Sequence, residues 1–223
     1  TSRPDVMVLM SADNDPNAAR DGDYTFKMPQ KIPSYLMAIA AGDLTFKAIS
    51  PRSGVWSEPT MLNKAVNEFE DTEKMIATAE ALYGPYRWDR YDMLVLPPSF
   101  PYGGMENPRL TFLTPTVIVG DKTLVSLIAH ELAHSWSGNL VTFSSAKDAW
   151  LNEGFTSYVE NRIIESLYGK DQAAMENVIE RNELKKEFAE IDPSLQRLAT
   201  KPGVLKDPDN SSSATVYTKG AWF

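Results

Sequence analysis

The chain has two histidines, and they stand four positions apart with a glutamate beside the first: His130-Glu131-Leu132-Ala133-His134. Scattered residues would fall into this pattern in only about one chain in 1,500, so the arrangement calls for a physical reason. Four residues of α-helix turn through about 400°, so both imidazoles leave one face about 40° apart and can share a single tetrahedral ion. Glu131 leaves the same helix about 100° from His130, where it can reach a water on that ion without becoming a ligand. Two core histidines on an apolar helix are the plain alternative.

A catalytic zinc site takes three protein ligands and leaves one position open. The sequence has no third histidine and no cysteine, so the third ligand has to be a carboxylate. Asp148, Glu153 and Glu160 are the candidates on the next expected helix. Spacing favours Glu153, in Asn152-Glu153-Gly154. Lying 19 positions after His134, it allows a second helix to pack antiparallel and turn one carboxylate back onto the ion. A helix-terminal glutamate placed for the dipole is the alternative for that residue.

Composition narrows the partners. A net charge of -8 with no cluster of lysine and arginine argues against nucleic acid, which needs a basic face. No run of 18 apolar residues is present, so no membrane span is expected in this segment, and Thr1 to Met10 lacks the layout of a secretory signal. The absence of cysteine excludes disulfides and a thiol nucleophile and leaves location open, with the cytoplasm slightly favoured. The 43% of hydrophobic residues are enough for a sizeable core.

Along the chain, residues 1–52 read as the end of a β domain. Tyr24, Phe26 and Met28 alternate with polar neighbours, and Tyr35 to Ala40 and Leu44 to Ile49 look like a hairpin split at Gly42-Asp43. From Met61 to Leu82 apolar residues recur at helical spacing until Gly84-Pro85. Tyr91 to Leu96, Leu110 to Leu113 and Thr116 to Val119 are strand candidates, with Gly103-Gly104 in a loop between the first two. Helices are expected over Lys122 to Trp136, with Asp121 as N-cap, over Ala149 to Tyr168, and over Gln172 to Phe188. Residues 192–213 read as a long loop. The apolar ending Gly220-Ala221-Trp222-Phe223 suggests a piece of a longer protein.

The motif His130-Glu131-x-x-His134, then Asn152-Glu153-Gly154, with Gly103-Gly104-Met105-Glu106-Asn107 upstream, resembles the gluzincin zinc aminopeptidases of the aminopeptidase N family. Within that family, the run Leu96 to Pro108 and the segments His134-Ser135-Trp136 and Gly138 to Thr142 resemble the branch of leukotriene A-4 hydrolase and aminopeptidase B. The resemblance covers essentially the whole chain. It implies an α+β fold: a thermolysin-like catalytic domain over 53–223, preceded by the last strands of a β domain over 1–52, with the family's C-terminal helical domain missing.

The resemblance also implies one zinc ion held by His130, His134 and Glu153, with Glu131 as general base. It implies that Glu106 pairs with the free α-ammonium of a peptide substrate, and that Gly103, Gly104 and Met105 receive the substrate backbone. Taken alone, the two glycines would read as a simple turn. Tyr217 matches the family's oxyanion-stabilising tyrosine, and Asp209 resembles an acidic residue of the substrate groove, although a turn aspartate reads the same way. Ser212 stands where the epoxide hydrolase of this branch has a second tyrosine, which disfavours leukotriene chemistry. A thermolysin-like endopeptidase, which would not need Glu106, and a zinc-binding but inactive fragment are the other readings.

Overall fold

The computed structural model describes residues 1–199 and 214–223. Strands β1 (Met7–Met10) and β2 (Ile39–Gly42) pair antiparallel as a two-stranded ribbon. A second, mixed sheet has the order β3 (Thr45–Ser50), β4 (Ser53–Ser57), β5 (Tyr91–Val95), β7 (Leu110–Leu113) and β6 (Gly104–Met105). Strands β4, β5 and β7 run parallel, while β3 and β6 run antiparallel to their neighbours. Parallel neighbours need a crossover, and helices α1 (Pro59–Glu68) and α2 (Thr72–Tyr83) supply it between β4 and β5.

Both faces of this sheet are covered, which is why every residue of β5 is buried rather than every second one, Asp92 included through its ion pair with Arg90. Met93 and Val95 point into a core shared with α1, α2 and the later helices, while Leu94 joins Trp56, Leu110, Met7 and Leu9 on the other face. Helices α3 (Ser126–Ala133), α4 (Trp150–Tyr168) and α5 (Lys170–Glu190) follow, and a π-helix, Thr215–Lys219, closes the described chain. α4 packs against α3, α5 and the π-helix. The architecture is α+β, as expected.

Several local expectations are corrected. Ile39–Gly42 pairs back to β1 and Thr45–Ser50 pairs forward to β4, so the two segments are not one hairpin. Alternation shows which face of a strand is buried and not which strand it joins. Tyr24 and Phe26 belong to no strand: their rings stack 6.2 Å apart, and the Tyr24 hydroxyl donates to the Val6 carbonyl. Thr116–Val119 forms no strand either, because Pro115 opens a short 3-10 turn capped by the Thr114 hydroxyl. Helix α3 starts later than expected because Lys122 adopts a left-handed φ of 62° and Asp121 caps only the turn at Thr123. Strand β4 went unseen, since two serines and a glycine carry little β signal.

The long helical stretch from Met61 to Leu82 is two helices, broken after Glu68. Glu68 is buried, and its carboxylate accepts the amides of Gly120 and Lys122 at 2.8 and 2.9 Å. The Thr72 hydroxyl accommodates the break by donating to the Phe69 carbonyl. This contact ties the loop before α3 to the helix pair. Removing one charged acceptor strands two amides, so Glu68→Ala is expected to lower unfolding stability by about 2–4 kcal/mol in urea titrations. A loss below about 0.5 kcal/mol, ordinary for a surface change, would show that the loop holds itself.

Arg52, where the composition shifts, lies in the turn between β3 and β4, and its guanidinium bonds Glu73 and Glu80 of α2 at 2.9 and 2.8 Å. The hydrogen-bonded sheet therefore runs across that position.

Candidate active site

Helix α3 is buried along its length, from Ile128 to Ala133, with its apolar face in the core. His130 and His134 therefore have little rotamer freedom. Each ring is fixed from behind by an acceptor. The Nδ1 of His130 lies 2.9 Å from Glu160 Oε2, and the Nδ1 of His134 lies 3.0 Å from the carbonyl oxygen of Ser137. A carbonyl and a carboxylate accept, so each Nδ1 carries a proton, and it is the two Nε2 atoms that offer lone pairs to a cation once the rings are neutral. The Thr156 hydroxyl, 3.0 Å from the same Ser137 carbonyl, braces that contact.

The two Nε2 atoms face each other at 3.2 Å, and Glu153 Oε2 stands 3.3 Å from one and 3.4 Å from the other. Ligands about 2.0–2.1 Å from a tetrahedral zinc lie about 3.3 Å apart, so these edges match one face of such a tetrahedron. Three electron-rich atoms converging at this distance repel one another unless a cation lies among them. The donor set fits zinc: two imidazoles and one carboxylate, with both imidazoles oriented by outer partners.

Of the three candidates for the third carboxylate, the structure brings Glu153 to both histidines. It puts Glu160 on the far side of the His130 ring, where it orients rather than converges. Asp148 lies in the short turn Ala146–Asp148 and belongs to neither donor group found among the described residues.

Glu131 is buried, its Oε2 has no hydrogen-bond partner among the described residues, and its carboxyl is pushed up to about 7. Burial is the main cause; His130 and His134 oppose it, and Glu106 and Glu153 add to it. His134 is moved up to about 9, the pull of Glu153 and Glu106 outweighing burial. Glu153 is held below its usual range because His134 and His130 outweigh its own burial. The same carboxylate field that favours protonated imidazoles favours a bound dication.

Gly104 lies against Glu131: a Cβ there would fall 2.2 Å from Oε1. The edge strand β6 therefore runs close along the carboxylate, and any side chain at 104 would displace it. Gly103 accepts the Thr114 amide at 2.9 Å, and Met105 pairs with Phe112. Glu106 is buried, and its carboxylate comes within 4.8 Å of both Glu131 and His134. Its backbone is set by the Asn139 side chain, which donates to the Glu106 carbonyl at 2.8 Å.

Tyr217 brings its ring to 5.7 Å from the His130 ring, and its hydroxyl is held well above the usual value by burial and then by Glu153, Glu131 and Glu106. Asp209 and Ser212 lie outside the described residues. Sequence reasoning passed over Tyr35. Its ring stacks on Phe143 at 6.4 Å, and its hydroxyl is pushed up to about 12 by burial and by Glu106 and Glu153. No spacing rule links a residue of the first segment to this site.

A helix presenting two facing histidines, a glutamate supplied by the helix packed on it, and a mixed sheet whose edge runs beside them define the class of HExxH metallopeptidases. The chain belongs to peptidase family M1, whose domain matches residues 67–223. It is 50% identical over 210 residues to leucine aminopeptidase 2 of Yarrowia lipolytica, covering 91% of this chain and 32% of that one. It is 52% identical over 172 residues to the leukotriene A-4 hydrolase of Xenopus laevis, covering 75% and 28%. A solved structure of yeast leukotriene A-4 hydrolase in complex with bestatin superposes with a TM-score of 0.90 at 41% identity, over 97% of this chain and 35% of that one. The chain thus spans about a third of the length of the relatives it matches.

Proposed function

We propose that the protein is a zinc aminopeptidase that hydrolyses the first peptide bond of short peptides. The observation that carries this reading is the convergence of two imidazole Nε2 atoms and one carboxylate oxygen within 3.4 Å of one another, beside a buried carboxylate with an oxygen that has no partner among the described residues. In this reading His130, His134 and Glu153 hold one zinc ion, and Glu160 orients His130. Residues 1–52 supply the end of a β domain, whose strand β3 joins the sheet of the catalytic unit formed by 53–223.

Bound zinc supplies Lewis acidity that makes water nucleophilic near neutral pH. Glu131 takes the proton of the attacking water on its free Oε2 and returns it to the departing amine. The edge strand at Gly103, Gly104 and Met105 receives the substrate backbone as an added strand. Tyr217 donates its hydroxyl to the developing oxyanion, and Asp209 lines the groove. Glu106 pairs with the α-ammonium, so that only the first peptide bond is aligned for attack.

Assaying the full-length protein on an amino-acid anilide and on its N-acetylated counterpart tests the reading. Cleavage of the free amine alone is expected, and equal cleavage of both would point to an endopeptidase. Glu106→Gln keeps the shape and loses the charge. It is expected to lower kcat/KM by about 10- to 1,000-fold, the range for a charge-assisted pair in a desolvated site. Zinc content, measured by atomic absorption, should not change. Loss of metal, or unaltered kinetics, would remove Glu106 from amine recognition.

A further inference from the structure

We propose that a crossing of two glycines, Gly154 on α4 and Gly220 at the end of the π-helix, sets where Tyr217 stands over the histidine pair. The inference rests on the reading that Tyr217 acts on the substrate. A Cβ on Gly154 would lie 2.6 Å from the carbonyl carbon of Gly220 and 2.7 Å from its Cα. A Cβ on Gly220 would lie 2.9 Å from the Cα of Gly154. Backbone meets backbone here, so there is no flexible side chain to yield.

Neither position needs glycine for its own conformation. Gly154 is inside α4, and Gly220 has an ordinary helical φ of -61° and ψ of -39°. Alanine is the better residue in helical backbone, so close approach is what accounts for both glycines. Their placement ties the crossing to the site. Gly154 follows Glu153, and the amide of Gly220 bonds the carbonyl of Tyr217 as well as that of Thr215.

The segment is pinned on its other side. The Ala214 amide donates to Glu187 at 2.8 Å, and Lys219 Nζ donates to the Gln196 carbonyl at 2.6 Å. Held there, the π-helix answers an added methyl by lifting off α4, and the lift moves the tyrosine that stands 5.7 Å from His130. A π-helix is a rare winding, frequent at functional sites, and here it carries Tyr217 in its middle and ends at the crossing, with Gly220 as its C-cap. Gly154 and Gly220 are positioning residues; the group they place is the Tyr217 hydroxyl.

The test introduces Gly154→Ala and Gly220→Ala separately into the full-length protein, each with and without Tyr217→Phe. A misplacement near 1 Å costs about 100-fold, so kcat is expected to fall about that much, with KM and zinc content as in the parent. In the Tyr217→Phe background the same alanines should change kcat by less than about 2-fold, because the group they misplace is already gone. In the zinc-free protein, amide exchange over 214–223 should quicken while that of α3 stays as it was.

Parent-like kcat in either alanine variant would overturn the proposal. So would a full loss recurring in the Tyr217→Phe background, which would report general packing. If one alanine variant does not fold, the other probes the same gap from the opposite backbone. If the parent itself shows no peptidase activity, the functional reading fails, and unchanged exchange over 214–223 would then overturn the crossing on its own.

Discussion

Replacing Glu131 by glutamine is expected to lower kcat/KM of the full-length protein by about 100- to 10,000-fold, the range for losing a positioned general base. The metal should stay. Glutamine fills the same volume against Gly104 and leaves His130, His134 and Glu153 untouched, so folding and zinc content give no reason for a change. Only proton acceptance is lost, since an amide oxygen is a far weaker base than a carboxylate. Steady-state rates on an amino-acid anilide, read beside metal analysis of the same sample, check this. A variant within about 10-fold of the parent would contribute too little for a general base, and the proton would have to go elsewhere.

Glu153→Gln is expected to act through the metal instead. Structural zinc binding of about 10–16 kcal/mol shared over four ligands is about 2.5–4 kcal/mol each, which is about 100- to 1,000-fold in affinity. Glutamine retains an oxygen but not its charge, so zinc should dissociate at chelator concentrations the parent tolerates. Glu160→Gln provides the contrast. That residue sits behind His130 rather than among the converging atoms, and losing an outer partner costs about 10- to 100-fold. Competition titrations with a zinc-binding dye rank the two. A Glu160 effect larger than the Glu153 effect would exchange their roles.

The site was more legible than the sheet. Histidines one turn apart on a helix fix their own geometry, so His130 and His134 could be paired from spacing, and the exclusion of cysteine left a carboxylate as the third donor. Spacing and the Asn152-Glu153-Gly154 motif already favoured Glu153; what they left open was the place of Glu160, a carboxylate of the same helix that meets His130 from the other side of the ring. Helices α4 and α5 fell within two residues of expectation, each stopped by a clear signal. Strand partners did not. Whether Ile39–Gly42 pairs with Met7–Met10 or with its nearer neighbour depends on contacts remote in sequence, and alternation is blind to them. The break after Glu68 was hidden for a similar reason. The partners of that carboxylate, the amides of Gly120 and Lys122, lie far along the chain.

The three converging donors come from α3 and α4, which follow one another directly, whereas the tyrosine comes from a segment beyond α5. Chain-closure entropy rises with the length of polypeptide enclosed, and contacts between distant segments are late to be rewarded during folding. The imidazole and carboxylate cluster can therefore assemble as soon as one pair of neighbouring helices meets, before the last segment docks. A nascent or refolding chain is thus expected to capture its ion at an early stage, with the cation bracing the α3 and α4 pair while the π-helix is still unattached. Zinc added during refolding is then expected to raise the yield of folded chain, an effect read apart from turnover.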